Sequence, residues 1–230
     1  MHPQRTQANL GWLYILVFCT LAGPHAATSA PLSDAPWVGD TMWGTLCRGN
    51  KQGYGPFDYT LRNQYIKELK IVEDYHFSPM VENLIEGDTT SNPLGDLDYT
   101  LMAWPNHHRA LNTVIRARVQ KKENFKISRF TPAECYLQRA INFSPDDGVS
   151  YMLYGMLLHQ MGDLKDALER YQSAERLSPQ DLQTKYNIGL LLVDLERYDE
   201  AKKYAVDVYR NSFPLPGLKK KLRKEGYWSD

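Results

Sequence analysis

The chain has 230 residues, 43% of them apolar and 23% charged, a balance that suits a globular protein of one or two domains with a real core. Lys plus Arg and Asp plus Glu both number 27, so the formal charge is zero. That balance supplies neither the basic excess of a nucleic-acid binder nor the acidic excess of a disordered, solvating chain.

Residues 1–30 differ from the rest. Arg5 is their only charged side chain, residues 10–21 (LGWLYILVFCTL) are almost wholly apolar, and small residues follow at Ala22, Gly23, Ala26, Ala27, Thr28, Ser29 and Ala30. Charge, a short apolar run and then small residues is the order of a secretory signal peptide, with cleavage expected between Ala26 and Ala30. The run is shorter than the roughly 20 residues a spanning helix needs. The alternatives are a retained N-terminal anchor and a lipoprotein site at Cys19, the latter opposed by bulky Phe18. Export places the mature chain in the periplasm or outside the cell, with membrane contact only in transit. Cys47 and Cys135 would then face an oxidising compartment, either bridged or as two buried thiols. Neither has a CxxC partner, so neither a redox motif nor a zinc knuckle is supported.

Residues 31–105 read as an irregular module. They hold many turn formers (Pro36, Gly39, Gly44, Gly49, Gly53, Gly55, Pro56) and many aromatics, among them Trp37, Trp43, Tyr54, Phe57, Tyr59, Tyr65, Tyr75, Phe77, Tyr99 and Trp104. A helix is expected over 61–72, and a short one after Ser78-Pro79. Leu97, Tyr99 and Leu101 alternate and predict an extended segment. A helix over 106–120, a polar loop at 121–124 and a second helix over 131–143 form a first, degenerate helical hairpin.

The next two units repeat. Residues 148–181 and 182–215 superimpose with an offset of 34, which brings Gly155 onto Gly189, Leu158 onto Leu192 and Ala167 onto Ala201; Pro145 precedes Pro179 by the same interval. Each unit reads as two antiparallel helices. Gly155 and Ala167 are small where the helices cross, while Tyr154, Leu158, Leu164, Leu168 and Tyr171 fall at three- and four-residue steps on a buried face. Gly162 breaks the chain between helices and Ser178-Pro179 opens the next turn. Residues 216–227, with Leu218 and Leu222 among Lys219, Lys220, Lys221, Arg223 and Lys224, predict a capping helix that closes the last apolar face and a short tail to 230.

The small residue at Gly155 and Gly189, the alanines at Ala167, Ala174 and Ala201, and the closing Pro145 and Pro179 resemble the tetratricopeptide repeat family over residues 131–215. Lys185, Val208 and Pro214 depart from its pattern. The resemblance implies a mainly α, helical-hairpin solenoid of about three hairpins over 106–215. It also implies a concave groove, lined by the first helices, that holds a peptide or helix of a partner protein. Inner positions would be Met152, Met156, His159 and Gln160 in one unit and Gln183, Tyr186, Leu190 and Asp194 in the next. The alternative for the methionines is ordinary packing between repeats. The segments Leu46-Cys47-Arg48-Gly49, Gly55-Pro56-Phe57-Asp58-Tyr59 and 96–111 also resemble exported proteins of proteobacteria that carry such repeats.

Two other functions are weighed. The aromatics of 31–105 would suit stacking on the sugar rings of an envelope polysaccharide, or would simply stiffen a turn-rich module. Asp96, Asp98, His107, His108 and Arg109 would suit a metal or acid–base site if brought together. The ordinary alternative has Asn106 capping a helix, the histidines filling polar gaps and Arg109 paired with Asp96 or Asp98. With no HExxH, GxSxG or P-loop spacing, the sequence favours a non-enzymatic interaction protein without metal or cofactor, a scaffold for cell-envelope assembly or secretion.

Overall fold

The computed structural model describes residues 34–120 and 130–229. The expected signal peptide, Cys19 and the loop at 121–124 lie outside the described residues. Regular structure among the described residues is helical, apart from an isolated antiparallel bridge between Asp40 and Leu46.

Asp58 opens the first helical turn of the N-terminal region by accepting a hydrogen bond from the Thr60 N–H at 2.8 Å, which caps a single 3-10 turn at Tyr59–Leu61. Helix α1 (Ile66–His76) begins later and ends later than the sequence suggests, with Leu69 and Val72 turned inward. Ser78 caps α2 (Pro79–Glu82), and Pro79 fits its first turn because a proline there forfeits no hydrogen bond.

The extended segment expected at Leu97–Leu101 is instead the heart of a helix, α3 (Pro93–Ala103). Asn92 starts it by accepting from the Leu94 N–H at 3.0 Å, and Pro93 holds the first turn. The apparent alternation is a four-residue step: Leu97 and Leu101 are fully buried whereas Tyr99 is 41% exposed.

Six helices make three hairpins: α4 (His108–Gln120) with α5 (Ala133–Phe143), α6 (Gly148–Met161) with α7 (Leu164–Leu177), and α8 (Leu182–Asp194) with α9 (Tyr198–Arg210). Asp147 and Asp181 cap α6 and α8 through side-chain hydrogen bonds to Val149 N–H at 3.1 Å and Thr184 N–H at 2.7 Å. Helix α6 touches α4, α5, α7 and α8 and is correspondingly apolar on most sides. It joins two cores. One includes Leu97, Leu101, Leu111, Ile115, Leu137 and Leu157; the other includes Leu158, Tyr171, Ile188, Leu191 and Leu192.

The repeat positions explain the close packing. A Cβ on Gly155 would come within 2.6 Å of the Tyr171 ring, so only glycine fits there. Ala167, Ala174 and Ala201 have no exposed surface. In the second unit the place of Tyr171 is taken by Ala205, 34 residues on, which leaves room beside Gly189. Helix α10 (Gly217–Lys224) fills that room: a Cβ on Gly189 would meet Leu218 Cδ2 at 2.4 Å. Leu218 and Leu222 are both fully buried, so α10 covers the apolar face the last hairpin would otherwise leave open.

Candidate functional site

The first helices of the repeat hairpins, α6 and α8, carry the positions that the sequence singles out for a partner. Met152 and Met156 are partly buried and pack against both cores. Met152 Sδ also accepts a hydrogen bond from Asn187 Nδ2 at 3.3 Å, so it belongs as much to the joint between hairpins as to a free face. Tyr186 is only 6% exposed; its ring lies 4.8 Å from that of Phe213, from the chain leading into α10. Leu190 is half-buried, and Gln183 donates to Asn187 Oδ1 at 3.0 Å. Gln160 and Asp194 are the open members of the set. Pro179 sits exposed in the turn between α7 and α8.

Asp194 ties the ends of three helices. Its carboxylate lies 2.9 Å from His159 Nε2 at the end of α6 and also meets Lys221 Nζ of α10. Burial alone would raise the Asp194 carboxyl, but the Lys221 and His159 contacts outweigh it and hold it below the usual carboxylate range.

The polar residues singled out before the repeats do not converge. Asp96 is fully buried and accepts from the Thr89 and Thr90 amides at 3.2 Å and from the Thr89 hydroxyl at 2.5 Å, with His76 Nδ1 at 2.9 Å. Burial pushes its carboxyl up, and these bonds more than reverse that. Asp98 instead accepts from the Tyr136 hydroxyl and from Asn50 Nδ2. His107 lies 3.0 Å from Glu73 through Nε2, while its Nδ1 accepts from the Ala110 N–H at 3.2 Å. That pattern assigns the neutral Nε2–H tautomer, and burial holds its pKa below the ordinary histidine range. His108 faces Asp147 at 2.9 Å. Arg109 pairs with Glu82 and Glu73, not with Asp96 or Asp98, because α3 turns both aspartates toward other partners. Asn106 does not cap α4: its side chain accepts from the Tyr59 N–H at 2.8 Å and donates to Asp58 and Asp147. Among the described residues no three His, Cys, Asp or Glu side chains gather as metal ligands.

Most of the N-terminal aromatics that suggested sugar stacking are packed together. Trp104 is fully buried with its ring 5.1 Å from Phe57, and Trp37 packs edge-on against Tyr136 at 5.4 Å.

Sequence reasoning missed the residue that organises this region. Arg139 of α5 is 1% exposed and donates in three directions: to the Ala35 carbonyl and the Leu101 carbonyl at 2.7 Å each, and to Gln52 Oε1 at 2.6 Å. Its guanidinium also lies 4.9 Å from the Trp37 ring centroid. Burial pushes its pKa down to about 10. Beside it, the sulfurs of Cys47 and Cys135 meet at bonding distance, with Cα atoms 5.4 Å apart, and Met42 N–H donates to buried Glu134 at 3.2 Å.

The model of the family described as "Tetratricopeptide repeat" matches residues 149–181 and 182–210. Solved structures with a similar chain path include two of MamA. One is 19% identical with a TM-score of 0.43, covering 74% of this chain and 86% of that one; the other is also 19% identical at 0.43, covering 71% and 79%. No curated protein matches the chain.

Proposed function

Because this is a tetratricopeptide-repeat protein, we propose that it is a scaffold that holds a segment of another protein against the first-helix face of α6 and α8. The observation that carries the reading is the packing of two repeat hairpins side by side, with polarizable Met152 and Met156 and half-buried Leu190 next to open Gln160 and Asp194. Because Tyr186 is spent on packing against Phe213, a test of the face uses the outward residues. Gln160→Arg should abolish co-purification of bound proteins and leave the melting temperature unchanged. Undiminished recovery of every partner would refute the face.

We place this scaffold outside the cytoplasm, in cell-envelope assembly or secretion. Support comes from the apolar run at 10–21 and from the approach of Cys47 to Cys135, since a bridge between them persists only in an oxidising compartment. Fractionation of a tagged chain, with thiol alkylation before and after reduction, tests both. A cytoplasmic protein with two free thiols would remove this part of the proposal, and a membrane-bound, uncut chain would replace export by N-terminal anchoring.

A further inference from the structure

Helix α10 does more than close the solenoid. It carries five cations, Lys219, Lys220, Lys221, Arg223 and Lys224, and no carboxylate. The chain as a whole is neutral, so the remainder holds 22 basic side chains against 27 acidic ones. Leu218 and Leu222 fix the inward side of the helix, which leaves the cations the whole remaining arc, since successive residues on a helix turn by about 100°.

We propose that this arc is a docking surface for an anionic phospholipid bilayer. Lys220 and Lys224 are exposed, and their four-residue spacing lines them up along one side, with the Lys224 side chain 84% exposed. Among the described residues, Asp194 meets Lys221, and Glu225 lies 3.7 Å from Lys224. Lys219 lies over two aromatic rings, 4.3 Å from the centroid of Tyr209 and 5.4 Å from that of Trp228.

Shape decides between a bilayer and an acidic peptide. The cations stand on the convex outside of a single helix, with the inward side closed by packing. A peptide binds best in a cleft, whereas a flat field of phosphates can meet a convex cationic arc at several points together. Just past the end of the helix, Tyr227 is 37% exposed and is of a residue type that suits headgroup depth. The acidic remainder of the chain would be repelled by the same surface, so α10 would approach first.

The test uses the full chain and vesicles of phosphatidylcholine, with or without about one third phosphatidylglycerol. To separate charge from any affinity of the apolar run at 10–21 for neutral bilayers, the readout is the preference for anionic over neutral vesicles in co-sedimentation at low salt. Each basic residue near an anionic leaflet favours binding several-fold, so replacing Lys220 and Lys224 by Gln should cut that preference roughly 30-fold. Raising the salt should do the same to the parent chain. Lys220→Arg with Lys224→Arg should retain it, and circular dichroism and melting should show the Gln variant folded. The proposal is overturned if the parent prefers neither vesicle, if the folded Gln variant keeps the parent's preference, or if polyglutamate binds α10 while anionic vesicles do not.

Discussion

The N-terminal region and the repeat hairpins solve the same problem by different chemistry. Residues 148–224 hold together through interdigitation of small and large side chains: Gly155 under Tyr171, Gly189 under Leu218, and three alanines with no exposed surface. Residues 34–105 share an apolar core with α4, α5 and α6 through Phe77, Val81, Leu97 and Leu101, and fasten to them as well through buried polar groups. Arg139 holds three segments at once, Asn106 joins Tyr59, Asp58 and Asp147, and Asp96 closes the loop at Thr89 and Thr90. Packing of the first kind is local and repetitive. Fastening of the second kind joins residues up to 104 positions apart and depends on single side chains.

If that contrast is right, the largest single effect lies at Arg139. Arg139→Ala removes a buried side chain and strands two backbone carbonyls and Gln52 without their donor. About 4 kcal/mol of stability should go, as for other buried charged groups that lose a partner. Urea unfolding measures the loss. Hydrogen exchange should show residues 34–58 opening before α6–α9; uniform exchange along the chain would break the comparison. Next comes Gly155→Val, which forces two methyl groups into the Tyr171 ring and should cost about 2–3 kcal/mol by overpacking. Here the exchange pattern should reverse, with α6 and α7 loosening first.

The same contrast explains what could be read in the sequence. The 34-residue offset is a covalent regularity, so the repeat hairpins and the capping role of Leu218 and Leu222 are visible without a structure. Arg139 is not visible, because a lone arginine in an amphipathic helix reads as solvated and its acceptors are backbone carbonyls from distant segments. The α3 helix was misread because leucines four apart with a tyrosine between them satisfy both periods, and the deciding signal was Asn92-Pro93 before the run. Among the groove positions, Tyr186 looked open because its cover, Phe213, depends on how the chain turns between α9 and α10.

Acid should attack the polar fastening selectively. The Glu73, Glu82, Asp96 and Asp147 carboxyls are all held below their ordinary range, by hydrogen bonds from His107, Arg109, Thr89 and His108 respectively against the cost of burial. A depressed carboxyl contributes stability above its unfolded pKa and loses it as pH falls through the folded value, below about pH 4. His107 acts earlier with the same sign. Its folded pKa is lowered by burial, so the unfolded chain binds the extra proton, and stability falls as pH drops below about 6.5. His107→Gln keeps a donor toward Glu73 and cannot titrate. Its stability should therefore fall less than the parent's between about pH 7 and pH 5. A parallel decline in both would remove His107 from the account.

The smallest effect should fall at Asp194, although it joins three helices. Its contacts to His159 and Lys221 bring the fastening chemistry of the N-terminal region into the repeats, as Lys185 with Asp207 also does, but they are made at the surface, with the Asp194 side chain 36% exposed. Exposed ion pairs contribute little, because water screens both partners and each must give up side-chain freedom. Asp194→Asn keeps the shape and should cost at most about 1 kcal/mol in thermal melting, and less at high salt. A cost near that of Arg139→Ala would mean that the alignment of α6, α8 and α10 rests on a charge and not on Gly189 and Leu218. The division between a packed half and a fastened half would then fail at the repeat end, where it is otherwise cleanest.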